Sequence, residues 1–298
     1  MPRIKANGLE FEYDEIGPRD GEPVLLVMGF SAQMTLWPEP FRQGLADAGY
    51  RVIRFDNRDI GLSHQFDDQM PPNPLELIGA ITSGQDATGM VPYVLDDMAA
   101  DAAAILEALD AGPAHIIGAS MGGMIVQLMA LNHPELVRSV IPVMTTSGDP
   151  SLPPATPEAM AALTAAPASP ERDDVVAAAL KARRVIGSAD GTRDNDEVIA
   201  HNAGAAYDRA YRPFGVARQY GAILAQPRWH ERLDQVAAPT MVLHGAVDPL
   251  IPPTGGRDIA ARVPGAKIVE VENWGHDVPA SLVPKLVNII TDFLGQVD

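Results

Sequence analysis

The sequence predicts an α/β protein in which a mostly parallel sheet carries helices on both faces. Short apolar runs rich in β-branched residues alternate with longer segments of helical spacing through most of the chain. Several of these runs are continuously apolar, which is typical of strands buried on both faces of a parallel sheet. The segment 144–235 has no strand pattern, which indicates a helical insertion between two strands.

Each predicted strand is a short apolar run bounded by turn or polar residues. The clearest is 24–28, Val-Leu-Leu-Val-Met, which is closed by Gly29. The predicted strands are 11–15, 24–28, 51–55, 115–118, 137–143, 240–244 and 267–271. Apolar residues spaced three or four apart predict helices near 41–48, 93–109, 121–132, 256–262 and 284–293.

Two segments interrupt this alternation and divide the chain. Residues 66–92 are rich in Pro, Gly and Asp, and such a long connection is either mobile or functional, for example as a flap. The insertion contains Ala-rich helical stretches, predicted near 158–165, 173–184 and 196–211. We therefore expect a core domain of residues 1–143 and 236–298, with residues 144–235 as a separate helical unit.

Composition and charge restrict the class of protein. Of 298 residues 46% are hydrophobic, enough for one large core or a core with a modest second subdomain. The 39 acidic and 22 basic residues give a net charge of −17, which disfavours nucleic acids and anionic membranes as partners. With no cysteine, the chain has no disulfide, no thiolate nucleophile and no cysteine-ligated metal.

The sequence carries no recognisable secretion signal or membrane span, so we expect a cytoplasmic protein. Residues 1–8 lack an apolar signal core, and no run approaches the ~18–20 apolar residues that cross a bilayer. We expect a small molecule as the partner, and the sequence leaves a homo-oligomer open.

One motif carries chemistry. Gly118-Ala119-Ser120-Met121-Gly122 is a G-x-S-x-G pattern that directly follows a predicted buried strand and directly opens a predicted helix. A turn this sharp strains the backbone of the central residue and leaves room only for small residues two positions away on either side. The helix behind it offers free N–H groups. This context predicts that Ser120 is a nucleophile.

A serine nucleophile needs a general base, and the base needs an orienting carboxylate. In an open α/β sheet both should lie in loops at the carboxyl ends of strands. Of seven histidines, only His276 follows the last predicted strand, and Gly275 lets the backbone turn there. Asp248 follows the preceding strand. We therefore predict that Asp248 orients His276 and that His276 activates Ser120.

Other carboxylates remain alternatives to that acid. Glu272 and Asp277 lie near the last loop, and Asp149 follows the strand 137–143. The histidines do not show a metal-binding spacing, so no metal site is expected.

With this chain order of serine, acid and histidine, the sequence resembles the α/β-hydrolase superfamily, and most closely its carboxylesterases and aclacinomycin methylesterase-like enzymes. The resemblance covers about residues 10–145 and 236–298. The turn Phe-Asp-Asn-Arg-Asp-Ile-Gly-Leu-Ser at 55–63 is similar to the D-x-R-G-x-G-x-S turn of the family, with Asp59 for the usual Gly. Met28 stands where most members have a His, and both departures fit the methylesterase-like branch.

The resemblance implies the α/β-hydrolase fold, with an eight-stranded, mostly parallel sheet and residues 144–235 as a helical cap, or lid. It implies an oxyanion hole formed by the backbone N–H groups of Phe30 and Met121, and no cofactor. Met28 and Trp274 flank the expected site, either as pocket lining or as core. Some arginines of the insertion either bind a substrate carboxylate or face solvent: Arg183, Arg184, Arg209, Arg212 and Arg218.

The function implied is hydrolysis of small to medium, largely apolar carboxylic esters through an acyl-enzyme. The same triad leaves open C–C, lactone or amide hydrolysis and perhydrolysis. Epoxide and halide displacement are disfavoured, because they need an aspartate where Ser120 stands. A non-catalytic receptor that retains the fold is the alternative from another class of protein.

Overall fold

The computed structural model describes residues 2–297, and its strands form one eight-stranded sheet. The strands are β1 (Arg3–Ala6), β2 (Leu9–Ile16), β3 (Pro23–Val27), β4 (Arg51–Phe55), β5 (Ala114–Ala119), β6 (Val137–Val143), β7 (Met241–Gly245) and β8 (Lys267–Val271). Their spatial order is β1-β2-β4-β3-β5-β6-β7-β8. Strands β3 to β8 pair in parallel, whereas β2 is antiparallel to both β1 and β4. The predicted fold class is confirmed.

Helices connect the strands and also form the insertion. Those of the sheet region are α1 (Glu39–Asp47), α2 (Pro74–Thr82), α3 (Leu95–Ala108), α4 (Met121–Asn132), α9 (Thr254–Arg262) and α10 (Val283–Leu294). Those between β6 and β7 are α5 (Pro157–Thr164), α6 (Arg172–Ile186), α7 (Asp196–Arg209) and α8 (Pro213–Ala225). None of the helices in residues 2–297 is long and apolar enough to cross a membrane.

Alternate residues of the central strands serve two hydrophobic cores. On β3, Val24 and Leu26 face one core, and Leu25 and Val27 face the other, because successive side chains of a strand point to opposite faces. Helices α1 and α10 close the first core, and α3, α4 and α9 close the second. Burial on both faces explains why these strands are continuously apolar in sequence.

The parallel strands bring four loops to the same edge of the sheet. Strands β3, β5, β7 and β8 all end there, and each is paired with a neighbour in that group. The loops that follow them contain Phe30, Ser120, Asp248 and His276. Residues distant in sequence therefore meet at one end of the sheet, as expected for open α/β folds.

A buried ion pair joins the insertion to the sheet region. Arg218 of α8 is 1% exposed and Asp59 is 0% exposed. The Arg218 Nε and Nη2 atoms each lie 2.7 Å from a different oxygen of the Asp59 carboxylate. Because the guanidinium binds both carboxylate oxygens, the pair fixes the orientation of α8 as well as its distance from the turn that contains Asp59.

Two further arginines strengthen the same attachment. Arg209 donates to Asp56 at 2.7 Å, and Arg212 donates to the Gly61 carbonyl oxygen at 3.2 Å. Together with Arg218 they hold the insertion to the turn after β4. The expectation that Arg209 and Arg218 either face solvent or bind a substrate is therefore corrected, because each pairs with a buried aspartate. Arg212 is half-buried and bonds only a backbone carbonyl oxygen. Arg184 does lie at the surface, paired with an aspartate.

Sequence patterns left some elements unrecognised. Strand β1 is short and mostly polar, because it lies at the sheet edge. Helix α8 begins at a proline and includes Gly215 and Gly221, which weaken its helical pattern. Within 66–92, only a short apolar piece was apparent where α2 forms, and α2 packs against α8.

We predict that the free energy of unfolding falls as the pH drops below about 6.5, the ordinary pKa of histidine. Burial lowers the pKa of His115 and of His244. Both therefore stay neutral in the folded protein while the unfolded chain binds protons. Urea unfolding at about pH 7.5 and about pH 5.5 should show lower stability at the acidic value.

The variant His115→Gln provides the control for this effect. It removes one titrating group from β5 while a side chain able to hydrogen-bond Ser139 remains. The loss of stability between the two pH values should be smaller than in the native protein. An equal or larger loss would show that His115 does not contribute.

Candidate active site

Ser120 lies in a strained turn between β5 and α4. Its φ of 57° and ψ of −119° place it in a region that residues other than glycine rarely adopt. A Cβ on Gly118 would lie 2.1 Å from the Gly122 carbonyl oxygen, and one on Gly122 would lie 2.1 Å from that of Val27. The turn closes only because both positions are glycine, which is the physical basis of the G-x-S-x-G spacing.

The turn presents the Ser120 hydroxyl to His276. Ser120 is the N-cap residue of α4, yet its side chain does not cap the helix. Instead, Oγ lies 2.9 Å from Nε2 of His276. Ser120 is half-buried and His276 is buried, so the pair is sheltered but remains reachable from outside.

Asp248 holds the other side of the imidazole. His276 Nδ1 donates to Asp248 Oδ2 at 2.7 Å, and a proton on Nδ1 leaves the lone pair of Nε2 free to accept from Ser120. Asp248 Oδ1 accepts from the Leu250 and Ile251 N–H groups, both at 2.9 Å. These bonds fix both oxygens of a side chain that is entirely buried.

The alternative carboxylates have other surroundings. Asp149 accepts a hydrogen bond from Arg262 at 2.5 Å. Asp277 accepts from the backbone N–H and the hydroxyl of Ser188, at 3.1 and 2.5 Å. Glu272 is exposed. The structure therefore brings Asp248 to the histidine and gives these three residues different places.

The loop after β3 approaches Ser120 closely. A Cβ on Gly29 would lie 3.0 Å from the Cβ and 3.6 Å from the Oγ of Ser120. The next residue is Phe30, and Met121 follows Ser120 as the first residue of α4. Within residues 2–297, the N–H groups of Phe30 and Met121 donate to no other group. Both amides thus have an unused hydrogen-bond donor.

The two side chains expected beside the pocket lie in a hydrophobic core. Met28 is 3% exposed and Trp274 is 0% exposed, and both belong to the core that α1 and α10 close. Trp274 Nε1 donates to the Asp277 carbonyl oxygen at 2.5 Å. Of the two roles considered for Trp274, the structure thus gives it core packing, beneath the loop that carries His276.

The end of α6 is joined to the backbone of His276. The His276 N–H donates to the Ile186 carbonyl oxygen at 2.8 Å, and Arg183 Nη1 donates to the His276 carbonyl oxygen at 2.9 Å. A Cβ on Gly275 would lie 2.3 Å from the Gly187 carbonyl oxygen. Gly275 is therefore needed because the insertion approaches it closely. Its φ is not positive, so a left-handed turn is not the reason for glycine here. No pattern in the sequence pairs these two segments.

A second histidine supports the loop of the acid. His244 Nε2 lies 2.9 Å from the Ile251 carbonyl oxygen and 3.8 Å from Asp248 Oδ2. Because burial lowers the pKa of His244, its imidazole is neutral and Nε2–H donates to that carbonyl. Sequence reasoning placed His244 only in a strand. Its bond to Ile251 stiffens the turn whose N–H groups hold Asp248.

Residues 2–297 contain no group of three or more His, Asp or Glu able to hold a metal ion. A surface cleft of about 550 Å³ is lined by residues of 191–197, and one of about 360 Å³ is lined by residues near β1, β2 and His64. Neither cleft includes Ser120, Asp248 or His276.

We predict that Gly275→Ala destabilises the protein by about 1–3 kcal/mol, the usual effect of overpacking a closed contact. The new methyl group would press on the Gly187 carbonyl oxygen and separate α6 from the His276 loop. Gly79→Ala is the matched control, since a Cβ there meets nothing within 4 Å and Gly79 lies inside α2. That variant should gain about 0.5–1 kcal/mol. Equal unfolding free energies for the two variants would contradict the close contact.

Comparison with known proteins identifies the family of this chain. The chain is 27% identical over 288 residues to rhodomycin D methylesterase DauP of Streptomyces sp. (strain C5), covering 90% of this chain and 89% of that protein. An enol-lactonase from Burkholderia xenovorans LB400 superposes with a TM-score of 0.75 at 21% identity, covering 99% of this chain and all of that one.

A meta-cleavage product hydrolase from Pseudomonas fluorescens IP01 also has a TM-score of 0.75, at 17% identity, and covers all of this chain and 98% of that one. At such identities the two structures show the fold alone. The family model described as α/β hydrolase fold matches residues 22–280. This chain therefore belongs to the α/β hydrolase fold family.

Proposed function

We propose that the protein is a serine hydrolase that cleaves carboxylic esters through an acyl-enzyme. The observation that carries the proposal is one continuous hydrogen-bonded chain. It runs from Ser120 Oγ to His276 Nε2 at 2.9 Å and from His276 Nδ1 to Asp248 at 2.7 Å. Membership of the family supports a hydrolase, and similarity to a methylesterase over 90% of the chain supports an ester as its substrate.

In the first half-reaction, Ser120 Oγ attacks the ester carbonyl carbon while His276 Nε2 accepts the hydroxyl proton. The carbonyl oxygen becomes an oxyanion, which the Phe30 and Met121 N–H groups stabilise. Asp248 stabilises the imidazolium that forms. The tetrahedral intermediate then breaks its bond to the alcohol oxygen, which leaves with the proton from His276, and the acyl group stays on Ser120.

In the second half-reaction, water replaces the alcohol. His276 Nε2 accepts a proton from water as its oxygen attacks the acyl carbon, and the same two N–H groups hold the oxyanion. Collapse of this intermediate returns the proton to Ser120 Oγ and releases the carboxylic acid. The enzyme is restored without any cofactor entering the sequence.

The insertion 144–235 is proposed as a cap over this site. Its helix α6 contacts the backbone of His276, and α8 is tied to the turn after β4 by the pair of Arg218 and Asp59. A cover anchored at both places would exclude water from the ester while chemistry proceeds. Methyl esters of larger acids are the first natural substrates to test, by analogy with the similar methylesterase.

We predict that Ser120→Ala lowers kcat for short-chain p-nitrophenyl esters by about 10⁴–10⁶-fold, because the nucleophile is lost. Ser83→Ala, at an exposed serine that ends α2, is the control and should keep native activity. Release of p-nitrophenol measures both rates. Undiminished turnover in Ser120→Ala would rule out Ser120 as the nucleophile.

A second prediction concerns the carboxylate. Asp248→Asn should lower kcat by up to about 10⁴-fold with little change in KM, because an amide stabilises the wrong tautomer of His276. Circular dichroism and the melting temperature should show that the variant folds. If kcat is within a few-fold of native in the folded variant, Asp248 is not the orienting acid.

A further inference from the structure

Gln219 is a fully buried amide on the insertion helix α8, and both ends of its side chain are bonded. Its Oε1 accepts the Ser31 N–H at 3.1 Å, and its Nε2 donates to the Arg58 carbonyl oxygen at 2.9 Å. Because one partner only donates and the other only accepts, this amide orientation alone satisfies both. Gln219 is 0% exposed and its bond to Arg58 is buried, whereas the bond to the exposed residue Ser31 is part-buried.

These bonds act on the loop that carries the proposed oxyanion donor Phe30. The Phe30 N–H belongs to the Gly29–Phe30 peptide. The preceding peptide is held by Asn57 Nδ2, which donates to the Met28 carbonyl oxygen at 2.8 Å. The following peptide is held where the Ser31 N–H meets Gln219. Side chains thus fix both peptides that flank the Gly29–Phe30 peptide, and with them the direction of the Phe30 N–H.

The loop needs such support because its backbone is strained. Ser31 has a φ of 61°, in the left-handed region that disfavours a residue with a Cβ. A conformation of this kind persists only when neighbouring contacts enforce it. The hydrogen bond from its N–H to Gln219 is such a contact.

The place of Gln219 is itself fixed by its neighbours on α8. Arg218 forms the buried pair with Asp59, and the Tyr220 ring contacts the Phe30 ring with centroids 5.9 Å apart. Three successive residues of the insertion therefore touch the turn after β4 and the loop after β3.

We propose that Gln219 is a positioning residue that aligns the Phe30 N–H for the oxyanion, so that the insertion sets catalytic rate and not only access. This rests on the proposed ester hydrolysis. Gln219 does not touch the substrate. It acts through the backbone of Ser31, and its loss lets the Gly29–Phe30 peptide rotate away from the oxyanion.

The experiment compares Gln219→Met with Gln226→Met. Gln226 is a matched control, since it is also buried and directly follows α8. Its Oε1 accepts a backbone N–H, that of Asp96, and its Nε2 donates to the Asp96 carboxylate, so it bonds α3 instead of the loop. The readouts are kcat, KM and the pH profile with p-nitrophenyl acetate, and hydrogen exchange of residues 28–33.

Gln219→Met should lower kcat about 10–100-fold, a part of the ~10²–10³-fold that one oxyanion donor contributes. KM and the midpoint of the pH profile should hardly change, because His276 is untouched. Residues 28–33 should exchange faster, while Gln226→Met keeps native kcat and native exchange in this segment. Native kcat in Gln219→Met, or an equal loss in both variants, would overturn the proposal.

A second variant covers a failure to fold. Gln219→Glu keeps an acceptor for the Ser31 N–H and should retain more activity than Gln219→Met; an equal or greater loss of kcat counts against the proposal. The exchange measurement also separates this proposal from the function itself. If the native protein hydrolyses no ester, faster exchange of 28–33 in Gln219→Met but not in Gln226→Met would still support the positioning of this loop by Gln219, and unchanged exchange in Gln219→Met would refute it.

Discussion

The hydrogen bond between Ser120 Oγ and His276 Nε2 joins segments that are 156 residues apart in the chain. Each end is held in a conformation that would not persist alone. Ser120 occupies a backbone region that costs about 1–3 kcal/mol for a residue with a Cβ, and the packing of α4 against β3 and β5 enforces it. His276 is oriented by Asp248, whose second oxygen is fixed by the turn after β7. The parallel strands bring those loops together at this edge of the sheet.

Hydrogen bonds attach the insertion to the loops of this site more firmly than a hinged lid would require. The end of α6 bonds the backbone of His276 on both sides, and α8 bonds Ser31 beside Phe30. The pair of Arg218 and Asp59 anchors the second contact in the protein interior. Breaking a buried pair of this kind costs about 3–5 kcal/mol. In the proposed cap role, the motion that admits substrate is therefore expected away from these anchors, in the more exposed part of the insertion.

Sequence reasoning predicted what depends on local pattern and chain order. The strands β4, β6 and β8 were predicted with their observed bounds, as was α4, because continuous apolar runs and helical spacing are local signals. Ser120 and His276 were predicted from their places after strands. The contacts of the insertion could not be predicted, since the sequence does not distinguish a buried arginine from a solvated one. Asp59 was noted only as a departure from a glycine, although the structure makes it the partner of Arg218.

Activation of Ser120 by His276 is tested most directly by covalent labelling. A p-nitrophenyl alkylphosphonate should react with the native protein once, and mass spectrometry of the digested protein should place the adduct on Ser120. His276→Ala should remain unlabelled over the same time, because no base is left to take the hydroxyl proton. An adduct on another residue, or equal labelling rates in the two proteins, would contradict the account.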